Sequence, residues 1–105
     1  MAAVVLVARY SVKPGSLDAV LAALTRMAPL VRQHEPGCLT YRVNRANDDP
    51  NVLLLYEEYA DQAALDAHVA SPHFKEIILG TVVPLLNKRE REFFTPALSL
   101  EGPAG

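Results

Sequence analysis

The sequence predicts an α+β domain of the ferredoxin-like kind, with the element order β-α-β-β-α-α-β and one four-stranded antiparallel sheet. Three observations predict this class. Short runs of β-branched and aromatic residues alternate with longer segments in which apolar residues recur at helical spacing, and turn-forming residues separate them. The length of 105 residues is that of one ordinary domain. We expect a single domain over residues 1–96, followed by a flexible C-terminal tail over residues 97–105.

Charge, cysteine content and hydropathy exclude several functional classes. The net charge is −2 and the pI is about 5.9, so we expect no clustered basic surface for nucleic acid. The single cysteine, Cys38, excludes an intrachain disulfide and suits a reducing compartment. The apolar run at residues 2–8 has no positive region before it and is far too short to span a bilayer. We therefore expect a cytoplasmic protein without nucleic-acid or membrane partners.

The first predicted strand, Val4–Val12, is rich in β-branched residues and is followed by a helix. The Lys-Pro-Gly sequence at 13–15 ends the strand, and Ser16 is a favourable N-cap. Pro29 lies inside the helical pattern, where it removes a hydrogen bond and is expected to kink the last turns. The helix ends by the Glu-Pro-Gly sequence at 35–37. Its apolar stripe consists of Leu17, Val20, Leu21, Leu24, Ala28 and Val31.

Two further strands are predicted, with a hairpin loop between them. Cys38–Arg45 alternates apolar and polar residues, which is typical of a half-buried strand. Residues 46–51 are dense in turn formers and predict the loop. Val52–Tyr59 begins as an unbroken apolar run, which predicts a central strand that is covered on both faces at that end.

The second half of the chain is predicted to hold two helices and a last strand. Asp61 caps a short helix that runs to Ala70. Ser71 and Pro72 then suit the N-cap and the first position of the next helix. Residues 88–95 form the last strand. The apolar positions of the second of these helices are Phe74, Ile77, Ile78, Val82 and Leu85.

The predicted sheet has helices on one face only. A right-handed crossover joins the first strand to the second and leaves space for the third between them. The first strand is apolar on both sides, with Val5 and Val7 opposite to Leu6. Because a soluble monomer rarely exposes an apolar sheet face, we predict a homodimer whose two-fold axis packs the open faces together. Any pocket is then expected on the helix-covered face.

Three stretches of the sequence resemble the antibiotic biosynthesis monooxygenase (ABM) superfamily of dimeric α/β-barrel proteins. They are residues 12–15 (Val-Lys-Pro-Gly), residues 35–41 (Glu-Pro-Gly-Cys-Leu-Thr-Tyr) and the segments 55–61 and 67–74. The likeness covers roughly residues 3–95, and the part from 68 to 74 is the most specific. The subgroup that the sequence most resembles is that of the small, single-domain quinol monooxygenases.

The resemblance implies a homodimer and, as the function, oxidation of a small quinol or phenolic compound by O₂ without flavin, haem or metal. The same fold also serves haem-degrading enzymes, a sugar-phosphate isomerase and proteins with no known reaction, and fold alone does not decide among them. The alternatives are therefore a non-redox acid/base enzyme and a non-catalytic protein that binds small molecules or responds to stress. Relatives often carry tryptophan at the position of Tyr59, and the haem-degrading ones depend on a tryptophan. This chain has none, which argues against haem degradation.

His68 and Glu57 are the candidate catalytic residues. Cofactor-free oxygenation needs a base of near-neutral pKa in a water-poor pocket, and histidine suits this by its ordinary pKa. His68 lies three positions after Leu65, at the edge of the helix face turned to the sheet, although a hydrogen-bonded surface histidine is the structural alternative. Glu57 shares a strand face with apolar residues, so it is a candidate acid/base or a partner that orients His68. Its structural alternative is a salt bridge to Arg9 or Arg91.

The predicted substrate-binding residues are strand tyrosines and residues at the junction of the last two helices. Tyrosines on strands can line an aromatic pocket, although they also serve as core. His68 and His73 are five positions apart across a helix break, so they do not form the i, i+4 pair of a zinc helix, and we predict no metal. The resemblance implies that no cofactor is needed. His34 is expected to complement the dipole of the first helix. The substrate-binding set is Tyr41, Tyr56, Tyr59, His73 and Phe74.

Overall fold

The chain follows the predicted order of strands and helices, and the computed structural model describes residues 2–104. The main elements are β1 (Val4–Val12), α1 (Leu17–His34), β2 (Cys38–Arg45), β3 (Val52–Tyr59), α2 (Gln62–Ala70), α3 (Phe74–Val82) and β4 (Leu86–Phe94). The segment predicted as a flexible tail contains a hairpin of β5 (Leu98–Ser99) and β6 (Gly102–Pro103). The outer limits of the predicted domain and tail, Met1 and Gly105, lie outside the described residues. The α+β class is confirmed.

The four long strands form one antiparallel sheet in the order β2-β3-β1-β4. This order confirms the predicted place of the third strand between the first and the second. Glu57 on β3 pairs with Leu6 on β1 and with Tyr41 on β2. These side chains therefore lie in one row across the helix-covered face.

The last long strand, β4, starts two residues earlier than predicted. The pairing of β1 with β4 shifts its register between Ser11 and Val12, and this bulge brings Leu86 opposite Val12. Lys88, which was predicted to be the first residue of this strand, lies inside it and pairs with Ser11. The strand ends at Phe94, one residue before the predicted end.

The helices cover one face of the sheet and enclose the main core. On α1 the buried stripe includes Met27 at 0% exposure, whereas Ala28, which the pattern placed in the stripe, is exposed. Neighbouring helix positions lie about 100° apart, so packing centred on Val20, Met27 and Val31 turns Ala28 outward. The strand residues in this core are Ala8, Tyr10, Val12, Leu53 and Leu55.

The third helix is wider than an ordinary α-helix. Pro72 and His73 begin it in α-helical geometry, as the sequence predicts, and Phe74–Val82 then forms π-type turns that tighten to a 3₁₀ turn at Val83–Leu85. Turns of the π type are rare in proteins, and those that do occur often lie near functional sites. Between residues 2 and 104, no helix is long and apolar enough to cross a membrane.

A close approach at Gly37 joins the start of β2 to α2 and yields a test of the packing. A Cβ at Gly37 would lie 2.6 Å from the Cβ of Ala64, so Gly37→Ala should lower the free energy of unfolding by about 1–3 kcal/mol. The control is Gly80→Ala on α3, where the added Cβ would meet the Lys75 carbonyl at 3.4 Å. Urea unfolding of both variants measures the difference. Equal stabilities of the two variants would contradict the packing.

Candidate functional site

The buried histidine of α2, His68, is positioned by the local structure at both ends of that helix. The Asp61 carboxylate accepts a hydrogen bond from the Ala64 amide at 2.9 Å, which fixes the first turn. The buried positions of α2 are then Leu65 and His68, on the face turned to the sheet. His68 is only 1% exposed, so it is an interior residue and not a surface histidine.

Aromatic rings enclose the His68 imidazole. The ring centroids of Tyr59 and Phe74 lie 5.2 and 5.1 Å from it, and that of Tyr41 lies at 6.0 Å. The contact with Phe74 is edge-on. Three of the predicted substrate-binding residues thus surround a predicted catalytic one. Here they form a packed shell with apolar rings against the imidazole.

The carboxylate of Glu35 joins His68 to His73. Glu35 follows the last residue of α1, and its Oε1 lies 2.8 Å from Nδ1 of His68. Its Oε2 lies 2.5 Å from Nε2 of His73. Glu35 is 8% exposed, so this shared carboxylate is buried.

The junction between α2 and α3 aims both histidines at Glu35. The Ser71 hydroxyl donates to the carbonyl of His68 at 2.7 Å and accepts from the amide of Phe74 at 3.2 Å. The sequence predicts Ser71 as a cap but gives no sign that the five-residue spacing of the histidines serves one acceptor. Glu35 itself was missed as a site residue. The one signal for it was its place in the 35–41 segment of the family resemblance.

The second predicted catalytic residue, Glu57, lies on the other side of His68. Its Oε1 accepts a hydrogen bond from the Tyr59 hydroxyl at 2.6 Å and lies 3.6 Å from Nε2 of His68. The alternative expectation, a salt bridge of Glu57 to Arg9 or Arg91, is wrong for residues 2–104. Arg9 pairs with Leu54 in the register and so points to the opposite face of the sheet, while Arg91 borders a separate groove.

Burial favours the uncharged forms of both inner groups. Removal from water raises the pKa of Glu57 to about 7, with a further rise from the Glu35 charge, and the Tyr59 hydrogen bond opposes it. Burial lowers the pKa of His68, against the attraction of Glu35. Burial also raises the pKa of Cys38 to about 11, which keeps it a thiol at neutral pH. Burial therefore shifts Glu57 towards the carboxylic acid and His68 towards the neutral imidazole.

A cleft of about 750 Å³ opens beside Glu35, between the end of α1, the start of β2, α2 and the start of α3. Its walls are mostly small and apolar, with Pro36, Ala64 and Ala67 among them. Its polar lining includes Glu35 and His73. His68 and Glu57 do not line this cleft, because they lie behind Glu35.

The walls of the cleft also include His34, which the sequence predicts to complement the helix dipole, and the single cysteine. His34, in the last turn of α1, stacks on His73 with ring centroids 6.0 Å apart. Cys38 is half-buried at the edge of the cleft. Tyr56, predicted to bind substrate, lies on the opposite face of the sheet at 37% exposure and is not part of the cluster. Between residues 2 and 104, no three or more histidine, cysteine or carboxylate side chains are arranged so that they could hold a metal ion.

Comparison with known proteins identifies the family. Residues 3–78 match the family described as antibiotic biosynthesis monooxygenase. The chain belongs to this family. Its resemblance to ABM proteins, first recognised from short stretches of sequence, is thereby confirmed.

Named relatives of this ABM chain come from several bacteria. A protein of Mycobacterium tuberculosis named a putative monooxygenase is 35% identical over 71 residues, which is 68% of each chain. An uncharacterised protein of Synechocystis is 30% identical over 75 residues, and the match covers 71% of this chain but only 50% of that relative. A solved structure from Bacteroides thetaiotaomicron, described as a putative antibiotic biosynthesis monooxygenase, has a TM-score of 0.85 at 29% identity. The match covers 94% of this chain and 93% of the chain in that structure.

The raised pKa of Glu57 predicts how the stability of this ABM chain depends on pH. The folded pKa of about 7 lies above the ordinary value of 4.5, so the folded state binds the proton more tightly. The contribution of Glu57 to folding stability is therefore fully present below its ordinary pKa and is lost as pH rises through its folded pKa. Glu57→Gln should therefore become more stable than the wild type by up to roughly 3 kcal/mol at about pH 8, with little gain at about pH 4.

Urea unfolding at both pH values measures this difference. The lowered pKa of His68 has the opposite effect, because the contribution of His68 to folding stability is lost as pH falls. This effect is common to the wild type and Glu57→Gln. The matched control is Glu58→Gln, which removes a carboxyl from the opposite face of the same strand. The same pH dependence for both variants would contradict the burial of Glu57 as its cause.

Proposed function

We propose that this chain is a cofactor-independent monooxygenase that oxidises a small quinol or phenolic compound with O₂. One observation carries the proposal: an apolar cleft leads to a buried cluster of two carboxyl groups and two histidines. Family membership and the monooxygenase names of relatives support it. The role of His68 and Glu57 as catalytic residues is part of the proposal.

The cleft suits a small aromatic molecule in size and chemistry. Its volume of about 750 Å³ lies within the usual range for small-molecule sites. Small apolar side chains such as Ala63 and Ala67 leave flat walls, and histidine and carboxyl groups are gathered at one side. A planar phenol could thus lie against the alanines with its hydroxyl towards His73. Apolar walls also limit the access of water to an oxygenated intermediate.

The proposed reaction needs a proton acceptor but no bound redox group. Removal of the phenolic proton gives an electron-rich phenolate, whose ring carbon is oxidised by O₂ to form a carbon–oxygen bond and a peroxide. Return of the phenolic proton to the peroxide gives the hydroperoxide. The ring carbon then loses its C–H proton and the oxygen–oxygen bond breaks. The departing hydroxide combines with that proton to form water. For the parent phenol the balance is C₆H₆O + O₂ → C₆H₄O₂ + H₂O. An acid/base cluster supplies both proton movements.

The same acid/base groups also fit a non-redox isomerase, which is the second candidate. The observation in its favour is the Glu35–His73 pair at the cleft, because a carboxyl and an imidazole can move a proton without O₂. A small-molecule-binding protein without catalysis is the third candidate. Turnover under anaerobic conditions separates the second from the first, and binding without turnover identifies the third.

Filling the cleft tests whether it holds the substrate. Ala67→Phe places a ring in the cleft from the exposed side of α2, so substrate-dependent oxygen uptake should fall by about tenfold or more in kcat/KM. The control is Ala22→Phe, an exposed position of α1 outside the cleft. An oxygen electrode with a panel of quinols and phenols, corrected for spontaneous oxidation, gives the rates. Absence of enzyme-dependent uptake with every compound would refute the monooxygenase proposal.

We also propose the homodimer that the sequence predicts. The open face of the sheet has an apolar row at Val7 and Tyr56, between Arg42 on one side and Glu92 on the other. Phe94 on the same face is 49% exposed. A second copy of the chain would remove these apolar side chains from water.

Sedimentation tests the dimer. The wild-type protein should sediment with twice the chain mass of 11.5 kDa, and Tyr56→Glu should shift it towards the single-chain mass because it buries a charge in the interface. Tyr56→Phe serves as the control and should leave the dimer in place. A wild-type mass of 11.5 kDa at all concentrations would exclude it.

A further inference from the structure

The two histidines of the cluster differ in what their ring nitrogens face. His68 has Nδ1 at Glu35 and Nε2 towards Glu57, and aromatic rings close the remaining sides. No ring nitrogen of His68 is therefore left for a substrate. His73 has Nε2 at Glu35 and lines the cleft, which leaves Nδ1 for a molecule bound there.

A carboxylate next to one nitrogen of a histidine selects the tautomer of the ring. When Glu35 accepts a hydrogen bond from Nε2–H of His73, the lone pair of the neutral ring lies on Nδ1. The same carboxylate stabilises the imidazolium that forms when Nδ1 takes up a proton. His68 binds the other oxygen of Glu35 and prevents the carboxylate from rotating away.

We propose that His73 is the base that removes the phenolic proton through Nδ1, and that Glu35 is the positioning residue that fixes its tautomer. The proposal rests on the proposed monooxygenase function and moves the reacting base from His68 to His73. The phenolic O–H bond breaks, its proton forms the N–H bond at Nδ1, and the electron pair remains on the phenolate. The same proton returns from Nδ1 to the peroxide, so His73 ends the cycle neutral.

The roles of the inner residues follow from this assignment. His68 contacts Glu35 and not the cleft, so it acts through Glu35 on His73. Glu57, held by Tyr59, closes the inner side of His68. The titratable groups around His73 are Glu35 and His34 of α1, His68 of α2, Cys38 of β2 and Glu76 of its own helix.

Glu35→Gln tests the assignment because it keeps the shape of the side chain and removes its charge. We expect kcat to fall by roughly 100-fold, as for the loss of an oriented base. His73→Gln should lower kcat at least as far, whereas Asp18→Asn, at the other end of α1, should match the wild type.

A second readout does not depend on turnover. Nitrogen-15 NMR of the histidine rings in the unliganded protein should show the Nε2–H tautomer for His73, and in Glu35→Gln a mixture of both tautomers. If no compound is oxidised but these signals appear, the proposed function fails while the Glu35–His73 pairing stands. If oxidation occurs but Glu35→Gln and His73→Gln keep the wild-type rate, the assignment of the base to His73 is overturned.

Discussion

The arrangement of the site depends on one buried carboxylate. Glu35 is 8% exposed, and a carboxylate is stable in such a place only if hydrogen bonds replace its lost hydration. His68 and His73 supply those bonds, one to each oxygen. They come from α2 and α3, while Glu35 terminates α1, so the requirement of one side chain fixes the relative positions of three helix ends. The walls of the cleft come from these same ends.

How much of the site the sequence could predict follows from the range of the contacts. Glu57 was found because it breaks the apolar pattern of its strand face, which is a local signal. His68 was found from its place at the edge of the helix face turned to the sheet and from the family resemblance. Glu35 was missed and His73 was predicted only to bind substrate, because the two residues lie 38 positions apart and no local pattern shows that they meet. Their contact depends on how the helices pack. Helix packing also explains why Met27 is buried in the core where the sequence pattern predicted Ala28. Strand order was predictable because crossover handedness and the apolar start of β3 are both local or nearly universal constraints.

Burial of the cluster costs stability that the fold must supply elsewhere. An apolar side chain at position 57 would avoid the desolvation cost of the carboxyl group, which raises the pKa of Glu57 to about 7. The surrounding sheet and helices provide large apolar side chains, and Leu53, Leu55 and Ile77 are almost completely buried. A rigid apolar layer of this kind holds the polar groups at fixed distances. Natural proteins commonly tolerate such a cost where a site needs it.

The tyrosine at position 59 connects the departure from related sequences to the chemistry of the cluster. Its hydroxyl donates to Glu57 at 2.6 Å, while its ring packs 5.2 Å from the His68 ring. A tryptophan there would have a donor only on the indole nitrogen, and a phenylalanine would have none. Either residue would leave the Glu57 carboxyl without this bond in the same position. A buried carboxyl without it would hold its proton still more tightly, because this bond, together with the charge of Arg89, opposes the rise in the pKa of Glu57. Tyr59 thus sets how readily the inner acid exchanges its proton, and the absence of tryptophan becomes a feature of the site as well as of the sequence.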